Sequence, residues 1–421
     1  MLKLNQKISL SIFASLILIL SVNAQNLSKT ITKELEVPKY ILPKILLSKN
    51  GIKINTIEKW ENIRRNEILS YFENQIYGRA PLKEILPIFE IVENNSITLN
   101  GDAIRKQYKL SFKKNGKILS LILLMYMPNK KEKSPAFLAY NFGGNYTISN
   151  DTCIYVEKKN TARIIKRGGN ILRWPITKII RSGYALITLN YNDIDPDKNN
   201  FSDGIHSLFY ENGTLKPKDN EWGSIAAWSW GLSRVLDFLE NESLIDTKKI
   251  VLLGHSRLGK TALWAGAKDE RFSIVISNNS GCGGAALSRR RFGEKVSDIN
   301  TNYPHWFAKN FHKYNDKESL LEVDQHMLIS LIAPRPVYVA SASQDSWADP
   351  KGEFLSAKFA KDVYKLYGYR ERGLNLFPKV NKPIRGRIGY HVRKGKHDIT
   401  LFDWEEYIKF SDFHLKNTFT D

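Results

Sequence analysis

The chain has little cysteine and, after its first residues, no long apolar run. Only Cys153 and Cys282 occur among the 421 residues. These two could pair, but a disulfide framework cannot be the main source of stability. No later apolar stretch approaches the roughly 20 residues of a membrane-spanning helix. Residues 30–421 contain no repeat, low-complexity tract or linker rich in proline and serine, which argues against a string of modules.

The apolar run at the N-terminus is short and follows a basic start. Lys3 and Lys7 precede the apolar residues 8–20, and small residues lead up to Ala24. This order is typical of a secretory signal peptide, and the run is too short for a membrane anchor. We therefore predict a signal peptide over residues 1–24 and export to the periplasm or the cell exterior.

Acidic residues are few relative to basic ones, 43 against 63, for a formal net charge of +20. Such an excess can indicate nucleic acid, an anionic surface or an acidic substrate as partner. The basic residues are scattered, no nucleic-acid-binding motif accompanies them, and export also argues against nucleic acid. A solvated basic surface explains most of the charge, and an anionic polysaccharide is the alternative. The sequence leaves the oligomeric state open, and we expect a monomer.

Short apolar runs alternate with helical patterns along the chain. Runs that suit strands buried on both faces lie at residues 118–126, 136–140, 184–189, 250–253, 273–276 and 336–340. Apolar spacings of three and four predict a helix over 57–76 and another from Ile225 to Leu239. The alternation predicts an α/β fold with a mainly parallel, doubly wound sheet in a three-layer αβα sandwich. Its functional residues should follow the C-terminal ends of the strands.

The segment Val251–Lys260 changes from a strand pattern to a helical pattern at Ser256. Such a turn is typical of the nucleophile elbow of the α/β-hydrolase fold, in which one serine is exposed above the sheet. The G-x-S-x-G pattern is incomplete, because Leu258 holds its last position and Gly259 comes one residue later. An ordinary turn with Ser256 as a helix N-cap is the alternative.

The elbow and the length of the chain together predict its domain organisation. Residues 25–421 are expected to form a single α/β-hydrolase catalytic domain with an N-terminal extension and insertions.

A serine nucleophile needs a base, and the base needs a group that orients it. In α/β-hydrolases the histidine comes last in the chain. His397 lies in a polar loop before an amphipathic run from Ile399 to Phe413, which favours it as the base. His391 is its nearest rival, and His414 falls within or after that run.

The acid is expected after the strand at 336–340. Asp345 is the first carboxylate there, and Asp349, which precedes Pro350, is the fallback. The oxyanion of an acyl transfer needs hydrogen-bond donors. The backbone N–H and the guanidinium of Arg257 are candidates, and the loop at 141–145, with its paired glycines, is another source of an N–H.

Several long motifs resemble those of bacterial glucuronoyl esterases, carbohydrate esterase family 15. The segments that carry the resemblance are Gly254–Lys260, Asn279–Glu294, Asn302–Phe307 and Gln344–Phe354, with Trp60–Leu69 and Tyr77–Pro81 nearer the N-terminus. They span nearly the whole chain after the signal peptide and are far more specific than the elbow alone.

The resemblance implies a secreted serine esterase that cleaves the ester between 4-O-methyl-D-glucuronic acid of glucuronoxylan and lignin alcohols, with no metal or organic cofactor. It makes Ser256 the nucleophile, His397 the base and Arg257 an oxyanion ligand. It also implies that Lys260 binds sugar hydroxyls and that Glu294 and Trp347 line the uronate pocket. Such contacts suit an uncharged uronate ester, whose ring offers hydroxyls and a flat apolar face.

One position departs from the pattern of many family members. They carry a catalytic glutamate where this chain has Asn279, which cannot ionise. Other bacterial members carry the acid after the later strand, which matches Asp345. Two other functions stay open: an acetylxylan or other carbohydrate esterase, and a xylan-binding protein with a degenerate triad.

Overall fold

The computed structural model describes residues 30–81, 85–156, 166–210 and 217–416. The predicted signal peptide at 1–24 lies outside the described residues. Among those described, no helix is both long enough and apolar enough to cross a membrane.

One sheet of nine strands organises the described part of the chain, in the spatial order β1-β2-β3-β5-β4-β6-β7-β8-β9. The pairs from β5 through β4 to β9 are parallel, whereas the pairs β1–β2, β2–β3 and β3–β5 at the other edge are antiparallel. The strands are β1 (Ile88–Thr98), β2 (Ala103–Lys114), β3 (Lys117–Pro128), β4 (Ser134–Asn141), β5 (Ala185–Asn190), β6 (Ile245–His255), β7 (Ile274–Asn278), β8 (Val337–Ala342) and β9 (Ile388–Arg393).

Helices cover both faces of this sheet. The α-helices in the described ranges, with the wider turns of the first one included, are α1 (57–76), α2 (Ile176–Arg181), α3 (His206–Phe209), α4 (Ser224–Leu239), α5 (Arg257–Lys268), α6 (Val296–Asn302), α7 (Gln325–Ser330), α8 (Pro350–Leu366) and α9 (Leu401–Leu415). The described residues also form several 3₁₀ helices, of which Lys309–Tyr314 and Arg372–Asn375 are the longest.

The strand side chains alternate between two apolar cores. Leu138 of β4 packs into the larger core with α1, α4, α5, α7 and α8, whereas its neighbour Phe137 packs into the smaller core with α2 and α9. Because successive strand residues point to opposite faces, a sheet covered on both sides needs continuous apolar runs. The predicted α/β fold, a mainly parallel sheet in three layers, is confirmed.

The structure also differs from the sequence analysis in detail. Strands β1, β2 and β9 were not among the predicted runs, and the antiparallel edge was not foreseen. The last helix begins at Leu401, two residues after the predicted start, because Thr400 and Asp403 form a capping box there. Helix α1 spans its predicted range but includes two wide turns, at Trp60–Arg64 and Phe72–Ile76. Both cysteines are free thiols, Cys153 exposed and Cys282 buried.

Candidate active site

The loops that follow five parallel strands meet at one edge of the sheet. Strands β4, β6, β7, β8 and β9 are neighbours in that order, so their C-terminal ends lie side by side. Functional residues of open α/β sheets gather at this edge. The residues that follow these strand ends are, in the same order, the loop at 141–145, Ser256, Asn279, Asp345 and His397.

Ser256 lies in a strained turn between β6 and α5. Its φ of 59° and ψ of −128° are rare for a residue with a Cβ. A Cβ on Gly254 would lie 1.9 Å from the carbonyl oxygen of Leu258, and one on Gly259 would lie 3.0 Å from Ser280 Cβ. Among the described residues, none makes a capping hydrogen bond to the Ser256 side chain. The geometry therefore fits a nucleophile elbow better than an ordinary N-capped turn.

His397 and Asp345 are brought together across 52 residues of sequence. His397 Nδ1 lies 2.6 Å from Asp345 Oδ2, and the same oxygen accepts a hydrogen bond from Asn279 Nδ2 at 2.7 Å. The His397 side chain is 42% exposed, whereas that of Asp345 is 4% exposed. A buried carboxylate at Nδ1 holds a proton on that nitrogen and leaves Nε2 available as a base.

Asp345 is held as a carboxylate. Burial alone would raise its pKa, but hydrogen bonds from His397 and Asn279 outweigh burial and lower the pKa below its ordinary value. Asn279 therefore supports the charge of Asp345 through its amide. Because the folded-state pKa is lowered, this stabilisation is present above the ordinary aspartate pKa and is lost as the pH falls through the folded value.

A second histidine, which the sequence analysis did not single out, packs against the first. The rings of His255 and His397 lie 4.7 Å apart. Burial lowers the pKa of His255 to about 3, and the neighbouring His397 adds to this effect. Asn278 Oδ1 lies 2.5 Å from His255 Nδ1. The Asn278 amide nitrogen donates to other groups, so its oxygen accepts from His255, which is neutral and protonated at Nδ1.

Arg257, the residue after Ser256, is anchored beside the elbow. Its guanidinium bonds to Asp197 and lies 4.7 Å from the ring centre of Trp306. Asp197 also accepts hydrogen bonds from His305 at 2.9 Å and Tyr191 at 2.9 Å. Burial would raise the pKa of Asp197, but these partners outweigh it and hold that pKa well below its usual range. The Arg257 guanidinium, paired with Asp197, is therefore held in place next to the elbow.

The loop at 141–145 reaches the same place. The Phe142 ring lies 6.0 Å from that of His255 and 5.9 Å from the Arg257 guanidinium carbon. Gly144 has a φ of 90°, and the side chains of Asn141 and Asn145 bond to each other at 2.7 Å. The loop is therefore a rigid turn beside the elbow.

The three predicted sugar-binding residues form one group, but their exposures differ. Lys260 Nζ donates to the carbonyls of Ser280 and Cys282 and lies 3.7 Å from Glu294. Both side chains are almost buried, 5% and 8% exposed. Burial raises the pKa of Glu294, although Lys260 opposes the shift. Trp347, whose backbone carbonyl accepts from the Glu294 N–H, is 46% exposed.

The alternative triad residues are engaged elsewhere. His391 is fully buried and lies 2.9 Å from both Asp403 and the Tyr338 hydroxyl. His414 lies within α9, with Nε2 2.9 Å from the Gly386 carbonyl. Asp349 caps α8 and pairs with Arg290 at 2.7 Å. None of the three contacts the His397 and Asp345 pair in the interactions of the described residues.

A buried carboxyl group that the sequence analysis missed lies behind the site. Glu353, in the first turn of α8, is fully buried, accepts the Gly281 N–H at 3.0 Å and lies 2.6 Å from Ser341 Oγ. It joins the loop after β7 to the end of β8. Burial raises the pKa of Glu353 to about 8, and the charge of Asp345 adds to the shift. Glu353 is therefore mostly protonated at neutral pH.

Replacing Glu353 with glutamine is expected to flatten the pH dependence of stability. The folded protein retains a proton that the unfolded chain releases near pH 4.5, so the contribution of Glu353 to the free energy of unfolding falls as the pH rises from about 4.5 to about 8, by at most about 5 kcal/mol. Glutamine cannot titrate, and its amide can donate to Ser341. Urea unfolding at pH 5 and pH 8.5 measures the difference, with Glu90→Gln on exposed β1 as control. An equal pH dependence in Glu353→Gln and wild type would contradict a protonated Glu353.

Within the described ranges, no group of three or more histidine, cysteine or acidic side chains is arranged to hold a metal ion. The residues at the strand ends instead form an elbow serine, a histidine paired with a buried carboxylate, and an anchored arginine. This combination suits nucleophilic attack on a carbonyl group.

Comparisons with known proteins point the same way. The family model of glucuronyl esterase, fungi, matches residues 139–368. A solved structure of a promiscuous CE15 esterase from a marine bacterial metagenome is 47% identical, with a TM-score of 0.86 over 92% of this chain and 100% of that one. The glucuronoyl esterase from Solibacter usitatus is 40% identical, with a TM-score of 0.86 over 90% and 100% of the two chains. The 4-O-methyl-glucuronoyl methylesterase of Hypocrea jecorina is 32% identical over 64% of this chain and 60% of its own.

Proposed function

This chain belongs to the glucuronoyl esterase family, carbohydrate esterase family 15, and from that premise we propose that it hydrolyses esters of 4-O-methyl-D-glucuronic acid on glucuronoxylan with lignin alcohols. It is a carboxylic ester hydrolase. The observation that carries the proposal for its mechanism is the pairing of His397 with buried Asp345 at the strand ends beside the Ser256 elbow.

The proposed reaction passes through an acyl-enzyme. Ser256 Oγ attacks the ester carbonyl while His397 Nε2 takes its proton, and Asp345 stabilises the imidazolium. The bond to the alcohol oxygen breaks, and the alcohol leaves with that proton. Water then gives a proton to His397 as its oxygen attacks the acyl carbon. When the bond to Ser256 breaks, the serine recovers the proton and the free uronic acid departs.

The negative charge that develops on the carbonyl oxygen is proposed to be held beside Arg257. The N–H of Arg257 begins α5, where the helix dipole also favours negative charge. The guanidinium is held by Asp197 and the Trp306 ring, so little reorganisation is needed during the reaction. Donors fixed in advance are the ones that stabilise a transition state most.

We propose that the uronate ring packs on the exposed face of Trp347, with Glu294 beside it. A half-exposed indole next to a buried polar group is a typical sugar platform. The Lys260 ammonium is already bonded to two carbonyls, so its predicted contact with sugar hydroxyls would add to those bonds.

The substrate proposal is tested with paired esters on the purified enzyme. We expect kcat/KM for benzyl glucuronate to exceed that for benzyl galacturonate, which differs only at C4, by at least about tenfold, which corresponds to the loss of one hydrogen bond. Acetylated xylan is the third substrate. Equal rates on the two uronates, with faster release of acetate from xylan, would overturn the proposal.

A broader carbohydrate esterase is the second candidate. The related marine esterase is described as promiscuous, and the half-exposed His397 places the reacting centre within reach of varied esters. Comparable rates on benzyl glucuronate and acetylated xylan would favour this candidate. Fluorophosphonate labelling of Ser256 separates both esterases from a xylan-binding protein, which would not react.

We also propose that the chain is exported after removal of residues 1–24 and acts as a monomer. The basic, apolar and small-residue segments at its N-terminus support export. The mass of the exported protein should correspond to a chain that begins at Gln25, and retention of residues 1–24 would contradict this.

A further inference from the structure

Arg393, the last residue of β9, holds the loop that carries His397. Its side chain is buried, and its guanidinium donates to the carbonyls of Lys394 at 3.2 Å, Lys396 at 2.9 Å and Asp398 at 2.5 Å. The loop at 394–398 forms no helix or strand of its own. One side chain therefore bonds to backbone on both sides of His397.

The loop is folded closely around this guanidinium. A Cβ on Gly395, where φ is 118°, would lie 3.0 Å from Arg393 Nη1. Other contacts also hold the loop: the Gly395 carbonyl accepts from the Gln344 N–H at 2.9 Å, and Asp398 pairs with Arg173 at 2.6 Å. Each of these involves one residue of the loop, whereas the Arg393 side chain binds three of its carbonyls.

The guanidinium is itself fixed by a fully buried carboxylate. Arg393 Nε donates to Asp403 Oδ2 at 2.7 Å, and His391 Nε2 lies 2.9 Å from Oδ1. The Thr400 N–H and hydroxyl each donate to Oδ2 at 2.7 Å. Burial would raise the pKa of Asp403, but these partners outweigh it and lower the pKa. Asp403 is therefore ionised and anchors Arg393.

The same carboxylate contacts the neighbouring strand. Asn278 Nδ2 lies 3.3 Å from Asp403 Oδ1, and Asn278 Oδ1 accepts from His255. Asn278 precedes Asn279, the partner of Asp345, and His255 precedes Ser256. Asp403 thus connects the His397 loop with the two other strand ends.

We propose that Arg393 is a positioning residue for the esterase reaction. It fixes the position of the His397 loop, so that His397 Nδ1 meets Asp345 while His397 Nε2 faces the Ser256 elbow. This inference rests on the proposed function. The His397 side chain is 42% exposed, so packing holds it less firmly than backbone hydrogen bonds do. A displacement of about 1 Å in a catalytic group can cost about a hundredfold in rate.

The test compares two arginines that each hold three backbone carbonyls. Arg393→Lys keeps the positive charge beside Asp403 and removes the forked contacts. Arg335 donates to the carbonyls of Gly266, Asp269 and Phe272, at the other end of the sheet, before β8 begins. Arg335→Lys is therefore the matched control, since it loses the same kind of contacts away from the site.

For Arg393→Lys we expect kcat on benzyl glucuronate to fall about 10-fold to 100-fold, with KM changed less than about threefold. Labelling of Ser256 by a fluorophosphonate should slow by a similar factor. Arg335→Lys should lower the melting temperature but leave kcat and labelling near wild type. A general loss of packing would change both variants alike.

Wild-type kcat in folded Arg393→Lys, or an equal loss in Arg335→Lys, would overturn the proposal. If Arg393→Lys does not fold, Gly395→Ala takes its place. The added Cβ would press on the Arg393 guanidinium, so kcat should fall. Wild-type kcat in Gly395→Ala would overturn the proposal.

The labelling rates separate this proposal from the proposed function. A wild type that is labelled but cleaves no glucuronate ester refutes the function alone, and the variants' labelling rates still decide the role of Arg393.

Discussion

Ser256→Ala should lower kcat on benzyl glucuronate by about a millionfold. The variant lacks the oxygen that forms the acyl-enzyme, and nothing else at the strand ends replaces it as a nucleophile in the proposed reaction. Alanine also has a Cβ, so it inherits the strained φ of 59° and neither relieves nor adds to the strain. The melting temperature should therefore stay close to that of the wild type.

Ser346→Ala is the control for this result. Ser346 is exposed and follows Asp345 directly, so its hydroxyl lies near the site without a role in the proposed reaction. It should retain wild-type kcat. Turnover of benzyl glucuronate by Ser256→Ala at more than a small fraction of the wild-type rate would remove Ser256 as the nucleophile.

Asp345→Asn should lower kcat by about ten-thousandfold. The asparagine keeps the shape of the side chain but removes the charge that stabilises the imidazolium. His397 Nδ1 and the Asn279 amide both bond to Oδ2, and an amide nitrogen at that position would donate to Nδ1 instead of accepting from it. His397 can then adopt the tautomer in which Nε2 carries the proton and cannot accept one from Ser256.

Asn279→Ala also tests the assignment of Asp345 as the catalytic acid. It removes one hydrogen bond to Asp345 and leaves the carboxylate in place, so kcat should fall less than about tenfold. Steady-state kinetics of both variants at one pH decide the matter. A greater loss in Asn279→Ala than in Asp345→Asn would refute Asp345 as the acid.

Much of the fold, and the positions of the candidate site residues at the strand ends, could be predicted because strands buried on both faces must be apolar throughout. The runs at 250–253 and 336–340 identified β6 and β8; Ser256 follows the first run after two residues, and Asp345 is the first carboxylate after the second. The resemblance to carbohydrate esterase family 15, now confirmed, rested on long motifs around these strands. The roles of the individual residues stay predictions until the variants are measured.

The parts that were missed have physical reasons. Strand β9 is fully buried yet contains His391 and Arg393, and these polar residues interrupt the apolar pattern. Their burial depends on Asp403, which contacts both side chains and comes later in the chain. Strand β1 lies at the sheet edge, is mostly exposed, and so gives no buried pattern.

Individual side chains were missed for similar reasons. Asp197 follows the end of β5 by seven residues. It is the last of three closely spaced aspartates, at 193, 195 and 197, and this cluster after a strand end could have marked it as a site residue. His255 was overlooked because it precedes the serine, and its contact with His397 depends on tertiary packing.

The exposure of His397 has a consequence for polymers that cannot diffuse. A side group on an insoluble cell-wall chain can reach a base at the surface without a free chain end and without threading through a tunnel. The enzyme then needs to bind only one sugar residue of the polymer at a time. Cleavage at such a site should be distributed along the polymer, and the enzyme should leave after each event rather than move along the chain.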